Sequence, residues 1–241
     1  MTIVLMAKTD NFSIIMSDTR ENYEEGAVPP YKDGVRKLYS IESNGMGFIT
    51  GAGTASLLKE IKKRIVGMKT IYNISAVNNV FKEIVDEFIN SSPGWTNEFR
   101  ETYIAYSFYG ANGYNIVLLS ESYLDYSDSY IQEVPSGKVR IFYPFDLTEE
   151  DKQQQLNQLL EKHEEADVTN MSLPKALYEL LRIFKDISSI SNQSSSECEI
   201  GIFFYSKLTE SFQKQQLTGE VNKLLLFAQK NKLLNKFNDV R

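Results

Sequence analysis

Thr2, Asp18, Lys37 and the turn Gly51-Ala52-Gly53-Thr54-Ala55 are the parts from which a hydrolase without histidine could be assembled. His163 is the only histidine, and it stands in the charged run Glu161-Lys162-His163-Glu164-Glu165, which reads as a solvated helix surface. A Ser-His-Asp or Cys-His mechanism therefore lacks its base. A threonine with a free α-amino group can do without one. Such an amine titrates at roughly 7.7–8.0, so a useful fraction is unprotonated near neutrality and can take the hydroxyl proton. A nearby lysine lowers that value further by charge repulsion, and an aspartate beside the lysine keeps it charged and placed. A glycine-rich turn can offer a backbone N–H to a developing oxyanion. Thr2 gains a free amine once Met1 is removed, a step its small side chain permits.

Each part also has a plain reading. Thr2 can be an ordinary strand residue, Asp18 a turn residue, Lys37 a solvated strand end, and Gly51–Ala55 a tight strand-to-helix turn. Their order along the chain gives them joint meaning. Thr2–Lys8 (TIVLMAK) and Phe12–Asp18 (FSIIMSD) are apolar runs around Asp10-Asn11, the pattern of a β-hairpin. Thr2 would open its first strand and Asp18 close its second. After the polar loop Glu21–Asp33, a strand pair is predicted at Arg36–Glu42 and Met46–Ala52, with Lys37 at its start and Gly53 just past its end.

Further on, Leu57, Leu58, Ile61 and Ile65 recur at helical spacing after Thr54, a candidate N-cap. The densest basic run, Lys59–Arg64, lies on this pattern and reads as a solvated helix face. A second helix spans Ile74–Asn90 and ends at Ser91-Ser92-Pro93-Gly94. Strands are predicted at Tyr103–Tyr109, Tyr114–Ser120, Ser129–Val134 and Lys138–Phe142. Helices follow from Thr148 to about Glu165 and from Ser172-Leu173-Pro174 to about Ile187, then a strand at Glu199–Tyr205 and a helix over Gly219–Phe237. Runs of strands followed by pairs of helices suggest two packed sheets with helices outside each.

Composition narrows the partners. The chain has 241 residues, 42% of them apolar, enough for one packed domain. Its net charge is −6, with Lys and Arg interleaved among Asp and Glu, so a phosphate-neutralising surface and a nucleic-acid partner are not expected. Cys198 is the only cysteine, which excludes an intrachain disulfide and a cysteine-based zinc cluster. No GxGxxG or GxxxxGK[ST] pattern occurs, and no metal or cofactor is expected. No apolar run is long enough to span a bilayer and no secretory signal is visible, so a soluble, cytoplasmic protein is expected.

In combination, Thr2, the SDTR of Ser17–Arg20, the RKLYSI of Arg36–Ile41 and the GAGTA of Gly51–Ala55 resemble the proteasome β subunits and their bacterial relatives, the heat-shock-locus peptidase and the Anbu type. The match runs from Thr2 to about Ile65. The Thr2–Asp18 spacing follows the family pattern, whereas the Thr2–Lys37 interval is a few residues longer, the excess falling in the polar loop Glu21–Asp33. The resemblance implies an α+β fold: a single domain over residues 1–241, built as a four-layer αββα sandwich of two antiparallel sheets flanked by helices. It implies Thr2 as nucleophile, Lys37 as the charge that tunes it, Asp18 as the holder of Lys37, the Gly53 N–H for the oxyanion, and Arg20 as structural support. Asp186 and Ser189 resemble the family's aspartate and serine three residues apart, which help hold the amine region. One departure stands out: Phe142-Tyr143-Pro144 occupies the place of a Gly-Ser-Gly turn.

The resemblance further implies a threonine-type N-terminal-nucleophile hydrolase that cleaves peptide amide bonds in peptide or protein substrates as a homo-oligomeric ring. An unfolding ATPase would be a partner, though no residue of this chain identifies one. Two alternatives stay open: a catalytically silent ring or scaffold subunit, and an amidase for a small non-peptide substrate.

Overall fold

Strands buried on both faces read as continuous apolar runs, not as alternating ones. The chain opens with two of them: β1 (Val4–Lys8) and β2 (Phe12–Asp18), every residue of which is buried. In the computed structural model, which describes residues 2–23, 28–71, 74–120, 131–143, 150–164, 166–190 and 194–229, these two strands form the centre of the molecule. They pair antiparallel in the register Val4↔Ser17 to Lys8↔Ser13.

The elements then follow in order. Two short strands, β3 (Glu21–Asn22) and β4 (Tyr31–Lys32), make a small ribbon within the region predicted as a polar loop. Next come β5 (Tyr39–Ser40), β6 (Met46–Ala52), α1 (Ala55–Val66), α2 (Ile74–Ser91), a 3-10 turn at Pro93–Trp95 and α3 (Thr96–Arg100). After them lie β7 (Tyr103–Gly110), β8 (Gly113–Ser120), β9 (Ile131–Glu133), β10 (Val139–Phe142), α4 (Glu150–Glu164), α5 (Leu173–Ser188), β11 (Glu197–Ser206), β12 (Ser211–Glu220) and α6 (Val221–Gln229). One five-stranded sheet has the order β10-β1-β2-β11-β12 and the other β5-β6-β7-β8-β9, and all pairings are antiparallel.

Three apolar layers bind these pieces into an αββα sandwich. Ile3, Leu5, Phe12, Ile14 and Met16 face α4, α5 and α6 on one side of the first sheet. Ile49, Ile104, Tyr106 and Val117 face α1 and α2 on the outer side of the second. Between the sheets lie Val4, Met6, Ile15, Leu38, Phe48, Ile116 and Phe203. The sheets approach closely at two glycines that receive each other's phenylalanines. A Cβ on Gly201 would sit 2.5 Å from Phe48 Cγ, and one on Gly47 would sit 2.9 Å from Phe203 Cγ.

Several sequence expectations need correction. The strand predicted over Arg36–Glu42 is reduced to Tyr39–Ser40, because the N–H groups of Lys37 and Leu38 are bonded by a side chain instead of a neighbouring strand. The short helix α3 and the long edge strand β12 were not predicted. β12 (SFQKQQLTGE) lacks apolar alternation because it lies at a sheet edge with long polar side chains. His163 is not a surface residue but 2% exposed. It falls on the inward stripe of α4 with Leu156 and Leu160, at helical spacing that the charged neighbours obscure. Lys62 likewise departs from the solvated face: Lys59, Lys63 and Arg64 are exposed, but Lys62 lies on the stripe of Leu58 and Ile65 and is buried. Residues 121–130, 144–149 and 230–241 lie outside the described residues, and with them the predicted start of the Ser129 strand, Pro144, Thr148 and the end of the C-terminal helix. Among the described residues no helix is long and apolar enough to cross a membrane.

Candidate active site

The hairpin β1–β2 brings the start of its first strand against the end of its second. Asp18 N donates to Ile3 O at 3.2 Å, and Ile3 N donates back to Asp18 Oδ1 at 3.0 Å. The other carboxylate oxygen accepts from Arg20 N at 3.0 Å. A carboxylate with no exposed surface is thus fixed by two backbone donors. Lys37 completes the arrangement: Nζ donates to Asp18 Oδ1 at 3.1 Å and to Thr2 Oγ1 at 2.9 Å. Thr2 and Lys37 are 7% and 8% exposed, so these bonds lie in a poorly hydrated site. Burial pushes the Lys37 ammonium below the ordinary lysine range, opposed chiefly by the Asp18 carboxylate and then by Glu21 and Glu199.

Chemically, an ammonium bonded to the Thr2 hydroxyl stabilises its alkoxide form. A proton acceptor placed beside that hydroxyl would make it a nucleophile. Arg20 buttresses the corner. Its Nε and Nη2 bond Asp33 at 2.7 and 2.9 Å, and its guanidinium lies 3.8 Å over the Tyr31 ring. This forked pair raises Arg20 and lowers Asp33 from their ordinary values. The ribbon β3–β4 thereby ties the enlarged loop to the residue that follows Thr19.

Gly53 follows β6 at a φ of +124°, where a Cβ would meet Thr102 Oγ1 at 2.6 Å and Thr102 Cα at 2.7 Å. Only glycine fits. The hydroxyl of Thr102 accepts from Thr54 N at 3.2 Å and donates to Glu98 O at 3.2 Å, so the unpredicted α3 shapes the turn at the head of α1. Thr54 stands at the N-cap position of α1, though its side chain makes no capping bond.

Asp186 and Ser189 lie at the C-terminal end of α5. The Asp186 carboxylate lies 3.4 Å from His163 Nε2, and the Ser189 hydroxyl donates to Asp186 O at the end of α5. Burial lowers the His163 imidazole from its ordinary value against the pull of Asp186. Ser195, 4% exposed, brings a hydroxyl to the residue after Asp18: its Oγ is 3.3 Å from Thr19 Oγ1 and accepts from Glu197 N at 2.9 Å. The serine-rich run Ser188–Ser196 signalled a loop but not which serine turns inward. Tyr143, in the place of the Gly-Ser-Gly turn, is buried in the core under α4 and α5, while Phe142 pairs with Val4 and its ring packs on Tyr103.

Two more charged residues reach this region, and sequence reading missed both. Glu199 Oε2 accepts from Lys37 N at 2.5 Å and Leu38 N at 2.9 Å, and Lys62 Nζ donates to Lys37 O at 2.9 Å. The helical spacing of Leu58, Lys62 and Ile65 was a signal for the lysine. The alternation of β11, with Cys198, Ile200 and Ile202 on one face, puts Glu199 on the other with Gly201 and Phe203.

No family model matches the sequence, and no curated protein matches it. Solved structures do match the fold. One is a Gly-1 mutant of Anbu from Hyphomicrobium sp. strain MC1, 14% identical, with a TM-score of 0.62 over 100% of this chain and 98% of that one. Another is Anbu, described as an ancestral beta-subunit, from Yersinia bercovieri, 12% identical, with a TM-score of 0.63 over the same shares. The chain therefore has the proteasome-β-like αββα fold.

Proposed function

We propose that this chain is a threonine-type N-terminal-nucleophile hydrolase that cleaves peptide amide bonds after removal of Met1. One observation carries the reading: a buried ammonium, Lys37 Nζ, bridges the Thr2 hydroxyl and the Asp18 carboxylate at 2.9 and 3.1 Å. Once Met1 is removed, the α-amine of Thr2 takes the hydroxyl proton as Oγ1 attacks the scissile carbonyl carbon. The Gly53 N–H serves the oxyanion, the amine passes its proton to the departing amine, and an ester to Thr2 remains. Water, activated by the same amine, hydrolyses that ester and restores the hydroxyl. The reading extends to peptide or protein substrates and to a homo-oligomeric assembly.

A second reading, a catalytically silent subunit, is favoured by one observation. The segment that would supply a small hydroxyl beside the nucleophile carries Tyr143, which is buried in the helix-side core. A threonine-directed β-lactone separates the two. Protein shown by intact mass to lack Met1 is expected to gain one acyl adduct, which Thr2→Ala and Lys37→Ala lose. Retention of Met1 in the native cell, or no adduct on the processed chain, would refute the enzyme and leave the silent subunit.

A further inference from the structure

Residues 36–42 carry Lys37, yet only Tyr39 and Ser40 of this segment pair with a strand, opposite Ile49 and Phe48. Buried backbone groups need partners. Ile41 N donates to Gly47 O of β6 at 2.9 Å, whereas Lys37, Leu38 and the Ile41 carbonyl find theirs among side chains. Those side chains come from three elements. Glu199 on β11 accepts from the N–H groups of Lys37 and Leu38 through a single oxygen. Lys62 on α1 donates to Lys37 O. Gln216 on β12 donates to Leu38 O at 3.3 Å and to Glu199 Oε1 at 3.2 Å, and Lys214 donates to Ile41 O.

We propose that Glu199 and Lys62 are positioning residues for Lys37, gripping its backbone from two sides so that its ammonium stays between Thr2 and Asp18. The inference rests on the reading that Lys37 tunes Thr2 as a nucleophile. Its geometric basis is that Lys37 is held at both of its own backbone polar groups, N–H and C=O, and at its side-chain tip. An ammonium at the end of a four-carbon stem keeps its place only if its Cα is fixed, and a displacement of an ångström in a reacting group can lower a rate by as much as a hundredfold.

The two grips also set charge. Glu199 and Lys62 are 3% and 8% exposed, and burying ions to bond a peptide group is costlier than a neutral amide or a strand partner would be. The titratable groups around Lys37 include the carboxyl groups of Asp18, Glu21, Asp33 and Glu199 and the amine of Lys62. Lys62 itself faces Lys37 and Glu199, with the Tyr39 ring 5.8 Å away. Its ammonium is pushed down to about 7, first by burial and then by Lys37.

The test uses protein lacking Met1 and follows β-lactone acylation of Thr2 by intact mass across pH. Glu199→Ala and Lys62→Met are each expected to lower the acylation rate by at least about tenfold. Glu199→Gln keeps an acceptor for the two N–H groups and should recover most of the rate. Its alkaline limb should move to lower pH, because an anion that holds the Lys37 proton is gone. Circular dichroism checks that each variant is folded, and if Glu199→Ala does not fold, Lys62→Met and the Glu199→Gln profile decide. Rates within about twofold of wild type and superimposable pH profiles would overturn the inference while leaving Thr2 a nucleophile. No acylation of processed wild type would instead overturn the proposed function, and this inference with it.

Discussion

Asp18→Asn is the substitution that bears most directly on the site's electrostatics. Asparagine keeps the shape of aspartate but has one acceptor oxygen and one amide nitrogen. With Oδ1 kept toward Ile3 N and Lys37 Nζ, the amide nitrogen faces Arg20 N, a donor against a donor. An orphaned buried donor costs about 1–3 kcal/mol. The larger loss is the counter-charge of Lys37, whose side chain is 10% exposed, since breaking a buried ion pair from one side costs about 3–5 kcal/mol. These losses overlap, so about 4–5 kcal/mol is expected in total, a large share of a typical domain's stability of about 5–15 kcal/mol. Lys37→Met alone leaves a carboxylate still held by two backbone donors and should cost only about 2 kcal/mol. In the double variant no unpaired ammonium remains, so its loss should fall short of the sum of the single losses by about 2–3 kcal/mol. The Asp18→Asn penalty should also shrink as pH rises. Without Asp18, burial is the dominant influence on Lys37, and the ammonium escapes its cost by losing a proton. Urea unfolding of the four proteins at pH 6 and pH 9 measures both effects. Additivity within about 0.5 kcal/mol would refute the buried pair.

Two further outcomes follow from burial. Lys62→Met should gain stability relative to wild type at pH 6 and lose that gain on the alkaline side. A lysine depressed to about 7 binds a proton in the unfolded but not the folded chain between there and the ordinary 10.5, so wild-type stability rises through that window by about 1 kcal/mol per pH unit; urea midpoints at pH 6 and pH 9 test it, and a pH-independent difference would contradict it. Gly201→Ala should destabilise by about 1–3 kcal/mol, because the new Cβ would lie 2.5–2.9 Å from three atoms of the Phe48 ring and the sheets must part to admit it; a thermal melt unchanged from wild type would show that the sheets do not meet there.

The parts of this molecule legible in the sequence are those that local spacing determines. The β1–β2 hairpin, the α2 and α5 stripes and the turn that requires Gly53 all announce themselves within a few residues. So does the pairing of Ile3 with Asp18, which the hairpin closes by itself. Lys37 was legible only through its resemblance to a family pattern, since nothing local distinguishes it from a solvated lysine. Glu199, Lys62 and Ser195 were not legible because each acts on a residue distant in sequence: Glu199 reaches Lys37 across the gap between the sheets, and Lys62 reaches it from a helix whose other lysines are solvated. Charge identity misled at Lys62 and His163 alike, where the periodicity of the neighbouring apolar residues was the better guide. Asp186 and Ser189 are named by spacing and resemblance alone, and the structure sets the Asp186 carboxylate 3.4 Å from His163 Nε2 near the end of α5.

The distribution of buried charge weighs between the two functional readings. Asp18, Lys37, Lys62 and Glu199 are all less than 9% exposed and converge on one hydroxyl and one stretch of backbone. Each buried ion costs several kcal/mol before its partners compensate, and apolar replacements of similar volume are often neutral or stabilising. A subunit that needs only the αββα fold could pair residues 36–42 fully with β6 and fill the gap with apolar side chains. A subunit that must keep an ammonium on a threonine oxygen cannot, because a strand partner would satisfy the backbone without setting the charge around Lys37. The loss of stability expected from Lys62, set against the gain in acylation expected from it, is therefore the combination that separates a site retained for chemistry from a polar remnant of one.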